Sequence, residues 1–260
     1  LQCPALNTTA VNMKIVKTLG HGPVINMLHG WGMHAGIFNA WATDLSAHFT
    51  INLVDLPGHG DNQQQTLPDN LEHLAKDFRT LPKGVWLGWS MGGLIALNQA
   101  LHHPEQVQSL IMVCATPCFQ ARPHWPHGMP KKIVGAFKDS VQQDVQATID
   151  RFLALEVMGV QNERQHLKQL QDIIFQQPLP QQTSLINGLN LLQALDLSPV
   201  LKSLKTPSLW LSGRRDRIVH PDAMRHAAQL ANGSFHLLRG GHAPFLQHAN
   251  DMSNLIRDFL

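Results

Sequence analysis

The sequence predicts an α/β fold: a mostly parallel central sheet flanked by helices, with a helical cap inserted into it. Three observations predict it. Short apolar runs with little polar alternation recur through the first half and return near the end, as strands buried on both faces do. Helical periodicities alternate with these runs, which is the pattern of crossover connections in a parallel sheet. From about Cys118 to Leu197 the alternation stops and only helical signals remain. The 260 residues are 43% hydrophobic and 15% charged, enough apolar material for one substantial core.

Taken in order, the strand candidates are Val24–Leu28, Ile51–Val54, Val85–Gly88, Ser109–Val113, Ser208–Leu211 and Ser234–Leu238. Leu71–Leu81 and Leu94–His102 read as helices between them, and Met252–Leu260 as a closing helix. In the middle segment Ile133, Phe137, Val141, Val145, Ile149 and Phe152 or Leu153 recur every three or four residues, the spacing of one buried helix face. Further helical stretches cover Leu167–Phe175 and Leu185–Leu195. The division expected is a core of residues 1–117 and 198–260 with a cap of residues 118–197.

The formal charge of +2 announces no basic face, so a nucleic-acid partner is not expected. No apolar run reaches the roughly 18 residues of a membrane span. Cys3, Cys114 and Cys118 form no disulfide framework, and no basic-then-apolar leader precedes them; a reducing, cytoplasmic setting is expected. Cys114 and Cys118 lack a second pair of ligands at zinc spacing, and Gly58-His59-Gly60 lacks the third glycine of a dinucleotide loop. No metal and no cofactor are expected.

Chemistry enters at Gly88-Trp89-Ser90-Met91-Gly92, a G-x-S-x-G motif between a strand and a helix. A strand that reverses into a helix this sharply strains the serine backbone and exposes its hydroxyl, and the flanking glycines remove Cβ atoms that would clash. A serine hydroxyl needs a base, and the base needs an orienting group. His242, in the glycine-led loop after the last strand candidate, is the expected base. Asp216, just past the strand in "SLWLSGRRD", is the expected acid, ahead of its rivals Asp222 and Asp196. The neighbouring Arg214, Arg215 and Arg217 either help keep that carboxylate ionised or are simply solvated. The backbone N–H of Met91 and that of Trp31, in "LHGWG", are the expected oxyanion donors. His29 and His59 read as structural loop residues.

Together "LHGWG", "VDLPGHG", "WLGWSMGG", the Asp216 loop and "GGHAPF" resemble the α/β-hydrolase superfamily along nearly the whole chain. Trp89 in the serine motif, "PCFQAR", "RFLALEVMG" and "HAPF" are similar, more narrowly, to the BioH-type pimeloyl-acyl-carrier-protein methyl ester esterases of biotin synthesis. That resemblance implies a serine esterase that removes the methyl group from pimeloyl-acyl carrier protein methyl ester. It implies substrate contacts at Trp31, Ser90, Met91, Phe152, Leu153, Ala154, Leu155, Glu156 and His242. An acidic carrier protein needs basic residues at the cleft mouth, for which Arg151, Arg164 and Lys168 are the candidates. Ala147 and Glu156 depart from the family pattern there, Glu156 replacing a neutral glutamine. The expected assembly is a monomer with no nucleic-acid or membrane partner. The residues alone also fit a general short-chain carboxylesterase or thioesterase, or a weakly hydrolytic ligand-binding receptor on the same scaffold.

Overall fold

The structure, a computed structural model, describes residues 13–70 and 80–260. Cys3 and nearly all of the helix expected over Leu71–Leu81 lie outside the described residues. Among the described residues seven strands form one sheet: β1 (Lys14–Leu19), β2 (Val24–Leu28), β3 (Thr50–Asp55), β4 (Gly84–Trp89), β5 (Val107–Val113), β6 (Ser208–Gly213) and β7 (Ser234–Leu238). Their order is β1-β3-β2-β4-β5-β6-β7. Every neighbouring pair is parallel except β1 with β3. The six strands expected from sequence are present. β1 is the added one, an edge strand of sequence KIVKTL with no fully buried residue. Its lysines break the apolar pattern that marks the inner strands and suit an edge.

The helices are α1 (Asn39–Leu45), α2 (Met91–His102), α3 (Lys131–Gln143), α4 (Val145–Glu156), α5 (Glu163–Ile174), α6 (Gln182–Ala194), α7 (Pro221–Leu230) and α8 (Phe245–Phe259). Four of them, α3 to α6, lie between β5 and β6, as the middle of the sequence predicts. The apolar period running from Ile133 to Leu153 reads as continuous yet spans two helices. Asp144 is extended (φ −155°, ψ 105°), and its carboxylate accepts from the Ala147 amide at 2.9 Å, so it ends one helix and caps the next. The closing helix starts at Phe245, seven residues before Met252, and bends at His248, whose φ of −128° is not helical.

The inner strands β4 and β6 are buried along their whole length. Trp31, Trp41, Trp86, Trp89 and Trp210 are all under 2% exposed. At about 25 cal/mol per Å², burying an aromatic side chain of roughly 150–250 Å² contributes on the order of 4–6 kcal/mol before its ordering entropy. Trp41 of α1 stacks on Phe245 at 5.4 Å, which fixes the start of α8, and with it the loop before it, against the core. Parallel strands point their C-terminal ends to one side of the sheet, so the loops after β2, β4, β6 and β7 meet there.

Candidate active site

Ser90 follows β4 directly and precedes α2. Its backbone stands at φ 55°, ψ −121°, a conformation that L-residues rarely adopt. The neighbouring glycines make the turn possible by close approach. A Cβ on Gly88 would lie 2.4 Å from the Gly92 carbonyl oxygen, one on Gly92 would lie 2.3 Å from that of Leu28, and one on Gly93 would lie 2.3 Å from Ala115 Cβ. The serine is thereby held at the tip of the turn by packing on every side.

His242 Nε2 lies 2.8 Å from Ser90 Oγ, and His242 Nδ1 lies 2.8 Å from Asp216 Oδ2. Asp216 is 5% exposed, and its other oxygen accepts from the amides of Ile218 and Val219 at 2.8 and 2.9 Å. Those two donors satisfy the carboxylate and aim its free edge at the imidazole. An ionised carboxylate only accepts, so the Nδ1 proton points to Asp216 and Nε2 keeps a lone pair for the serine hydroxyl. No ion pair joins Asp216 to Arg214, Arg215 or Arg217 among the described residues; the backbone amides take the place considered for them. Arg215 instead donates to the Gly159 carbonyl at 2.7 Å. Asp222 pairs with Arg225 and His220 at the surface, and Asp196 with Arg122 and His124, so neither rival reaches His242.

The main chain of His242 is fixed twice. Its carbonyl accepts from Trp89 Nε1 at 2.8 Å, and its amide donates to the Glu156 carbonyl at the end of α4 at 3.1 Å. Sequence reasoning missed this use of Glu156, because a backbone acceptor leaves no side-chain signal. The Glu156 side chain is buried, with both carboxyl oxygens unpartnered. Burial first, and the Asp216 charge second, push its carboxyl well above the usual range, which favours the neutral acid. Cys114 also sits beside the pair, its sulfur within 4.8 Å of the ligand atoms of Asp216 and His242. Burial raises that thiol well above its ordinary value, so it offers S–H rather than the thiolate that metals take.

The loop after β2 lies against the serine, where a Cβ on Gly30 would be 3.2 Å from Ser90 Cβ. The amide of Met91 is the first of α2 and has no intrahelical acceptor. The Trp31 amide makes no hydrogen bond among the described residues. The side chains of these two residues reach α6: Trp31 Nε1 donates to the Leu185 carbonyl at 2.8 Å. A Cβ on Gly188 of that helix would stand 2.8 Å from Trp31 Cδ1 and 3.1 Å from Met91 Sδ. Gly188 is thus glycine for closeness in a helix that would otherwise favour alanine, a requirement the sequence does not announce.

Above Ser90 a cavity of about 660 Å³ opens between the sheet edge and α3, α4 and α6, and Trp31, Phe137, Phe152, Ala154, Leu155 and Leu189 line it. Leu153 and Glu156, in the same run, are buried away from it, as the helical period requires. Met91 and His242 are fully buried and are not among the residues that line it. Arg151 stands at the cavity wall and Arg164 and Lys168 are exposed on α5.

The arrangement resembles known enzymes at two levels. A family model described as the alpha/beta hydrolase fold matches residues 23–249. Among solved structures, an esterase from Exiguobacterium antarcticum superposes with a TM-score of 0.82 at 23% identity, covering 94% of this chain and 93% of the other. An enol-lactonase from Burkholderia xenovorans LB400 gives 0.79 at 20%, covering 94% of each. Both speak for the fold alone. In sequence, a pimeloyl-[acyl-carrier protein] methyl ester esterase of Xylella fastidiosa is 42% identical over 94% of this chain and 98% of its own length. Its counterpart from Stenotrophomonas maltophilia is 39% identical over 94% and 95%. This chain therefore belongs to the α/β-hydrolase fold family and, within it, to the family of the pimeloyl-[acyl-carrier protein] methyl ester esterases.

Proposed function

We propose that the protein hydrolyses the methyl ester of pimeloyl-acyl carrier protein methyl ester, giving pimeloyl-acyl carrier protein and methanol for biotin synthesis. The observation that carries this reading is the Ser90–His242–Asp216 chain of 2.8 Å contacts at the foot of an apolar cavity, in a chain about 40% identical to esterases of that name. A pimeloyl chain is an apolar spacer between two carbonyl ends, which suits such a cavity.

In this reading Ser90 Oγ attacks the methyl ester carbonyl as its proton passes to His242 Nε2, and Asp216 holds the imidazolium. The Trp31 and Met91 amides receive the oxyanion. His242 then gives the proton to the departing methoxide, so methanol leaves and an acyl-serine remains. A water, deprotonated by the same nitrogen, attacks that ester. Collapse returns the proton to Ser90 and frees the carboxylate. Phe152, Ala154 and Leu155 guide the acyl chain, while Arg151, Arg164 and Lys168 meet the acidic carrier. Residues 118–197 act as the cap on a core of residues 1–117 and 198–260. The enzyme works as a cytoplasmic monomer and needs no metal or cofactor.

The test compares kcat/KM on the carrier-linked methyl ester with that on a free short-chain ester. A clear preference for the carrier-linked substrate is expected, as is restored growth without biotin in a strain lacking such an esterase. Equal values on the two esters, or rescue that persists with Ser90→Ala, would sink the reading.

A further inference from the structure

We infer that a second basic surface, on the core side of the cavity mouth, is part of the dock for the acidic carrier protein. Four of the chain's ten arginines fall within twelve residues, at positions 214, 215, 217 and 225. They line a groove of about 560 Å³ after β6 and along α7, together with His127 and His220, whose rings stack at 5.1 Å. The one exposed carboxylate on this groove, Asp222, is taken up by Arg225 and His220. Asp216, at its floor, is buried and committed to His242. A positive field is left.

The groove runs into the acyl cavity, since Met129, Pro130, Arg217 and Ile218 line both. The two spaces adjoin at these residues, so a carrier that feeds an acyl group toward Ser90 past this rim would cover the groove. Exposed Ile133 and Met158 lie at the same mouth and supply an apolar centre between the arginines of the core and Arg151 of the cap. The arginines themselves are exposed, and the guanidinium groups of Arg214 and Arg217 hold no partner among the described residues. A small buried anion would be gripped by buried donors. Spread, solvated guanidiniums suit carboxylates on a protein surface, where they set encounter rate and register.

The inference rests on the proposed function, and its test separates the two. The double variant R214E/R225E would be assayed on the carrier-linked pimeloyl methyl ester, on the same ester of coenzyme A, and on dimethyl pimelate. The ratio of kcat/KM for the carrier substrate to that for dimethyl pimelate should fall roughly ten-fold or more and lose part of its salt dependence, with R214K/R225K close to the parent. A ratio unchanged within about two-fold would overturn the docking surface. So would an equal loss on the coenzyme A ester, which would mean that phosphate is being read. If the parent enzyme splits dimethyl pimelate but not the carrier-linked ester, the functional reading itself fails and takes this one with it. R214E alone, whose side chain holds no partner among the described residues, carries the same test should the double variant misfold.

Discussion

His29 and His242 are both fully buried, and each lies beside an aspartate, at 3.9 Å from Asp55 in one case and 2.8 Å from Asp216 in the other. His29 spends both ring nitrogens on the backbone: Nδ1 donates to the Gly30 carbonyl at 2.8 Å, and Nε2 accepts from the Leu56 amide at 3.1 Å. His242 spends one and keeps the other turned to Ser90. Asp55 likewise serves the loops, accepting from the amides of Ala35 and Asp61 at 2.7 Å each. Asp216 uses two amides to aim itself at an imidazole. The same residue types in the same burial thus make a loop anchor or a proton relay according to which lone pair is left over.

The comparison breaks most sharply at the serine, where Ser90→Ala should lower kcat on the order of 10⁶-fold with little change in melting temperature. Asp216→Asn should cost about 10⁴-fold by favouring the wrong imidazole tautomer; a loss under ten-fold would mean the aspartate only packs. Gly188→Ala pushes a methyl group against the side chains of Trp31 and Met91, and should lower kcat by roughly ten- to a hundred-fold with the smaller effect on KM. Unchanged kcat would show that the two amides do not depend on α6.

On the other side of the comparison, His29→Ala should cost stability, about 1–3 kcal/mol, through an orphaned Leu56 amide, while small-ester activity falls far less than for Asp216→Asn. Burial lowers His29 and His59 to about 3, so they are neutral when folded. The unfolded chain takes up their protons below about pH 6.5, and stability should therefore fall from there down to about pH 3, by roughly 1.4 kcal/mol per histidine per pH unit. Denaturant titrations across this range should show a slope that lessens in His29→Ala. Glu156 runs the opposite way. Burial raises its folded-state carboxyl, so its contribution is present below about pH 4.5 and is lost as pH rises toward the raised folded value. Glu156→Gln keeps the shape without that cost and should raise the melting temperature modestly at pH 8, though not at pH 4.

Much of this was readable from residues. The inner strands announce themselves because both faces are buried, and Ser90, Asp216 and His242 because each follows such a strand in a turn-forming setting. β1 was not, since an edge strand with lysines looks like a loop, and neither was the break at Asp144, since a single cap does not interrupt an apolar period. Leu153 and Glu156 could not be told from Phe152, Ala154 and Leu155 until α4 was oriented. The bonds that hold His242 in place were hidden for a different reason: they end on main-chain atoms, which every residue possesses.

One of those bonds reaches further than its length suggests. The amide of His242 leans on the last carbonyl of α4, and a Cβ on Gly241 would come within 2.7 Å of that same oxygen, so the helix layer over the cavity contributes scaffolding to the catalytic loop. A graft that exchanged this layer for one shaped to another acyl chain would carry that support away unless the end of α4 travelled with it. Specificity here is not a detachable module, and a redesign that resculpts the cavity has to leave the turn at Glu156 as it stands.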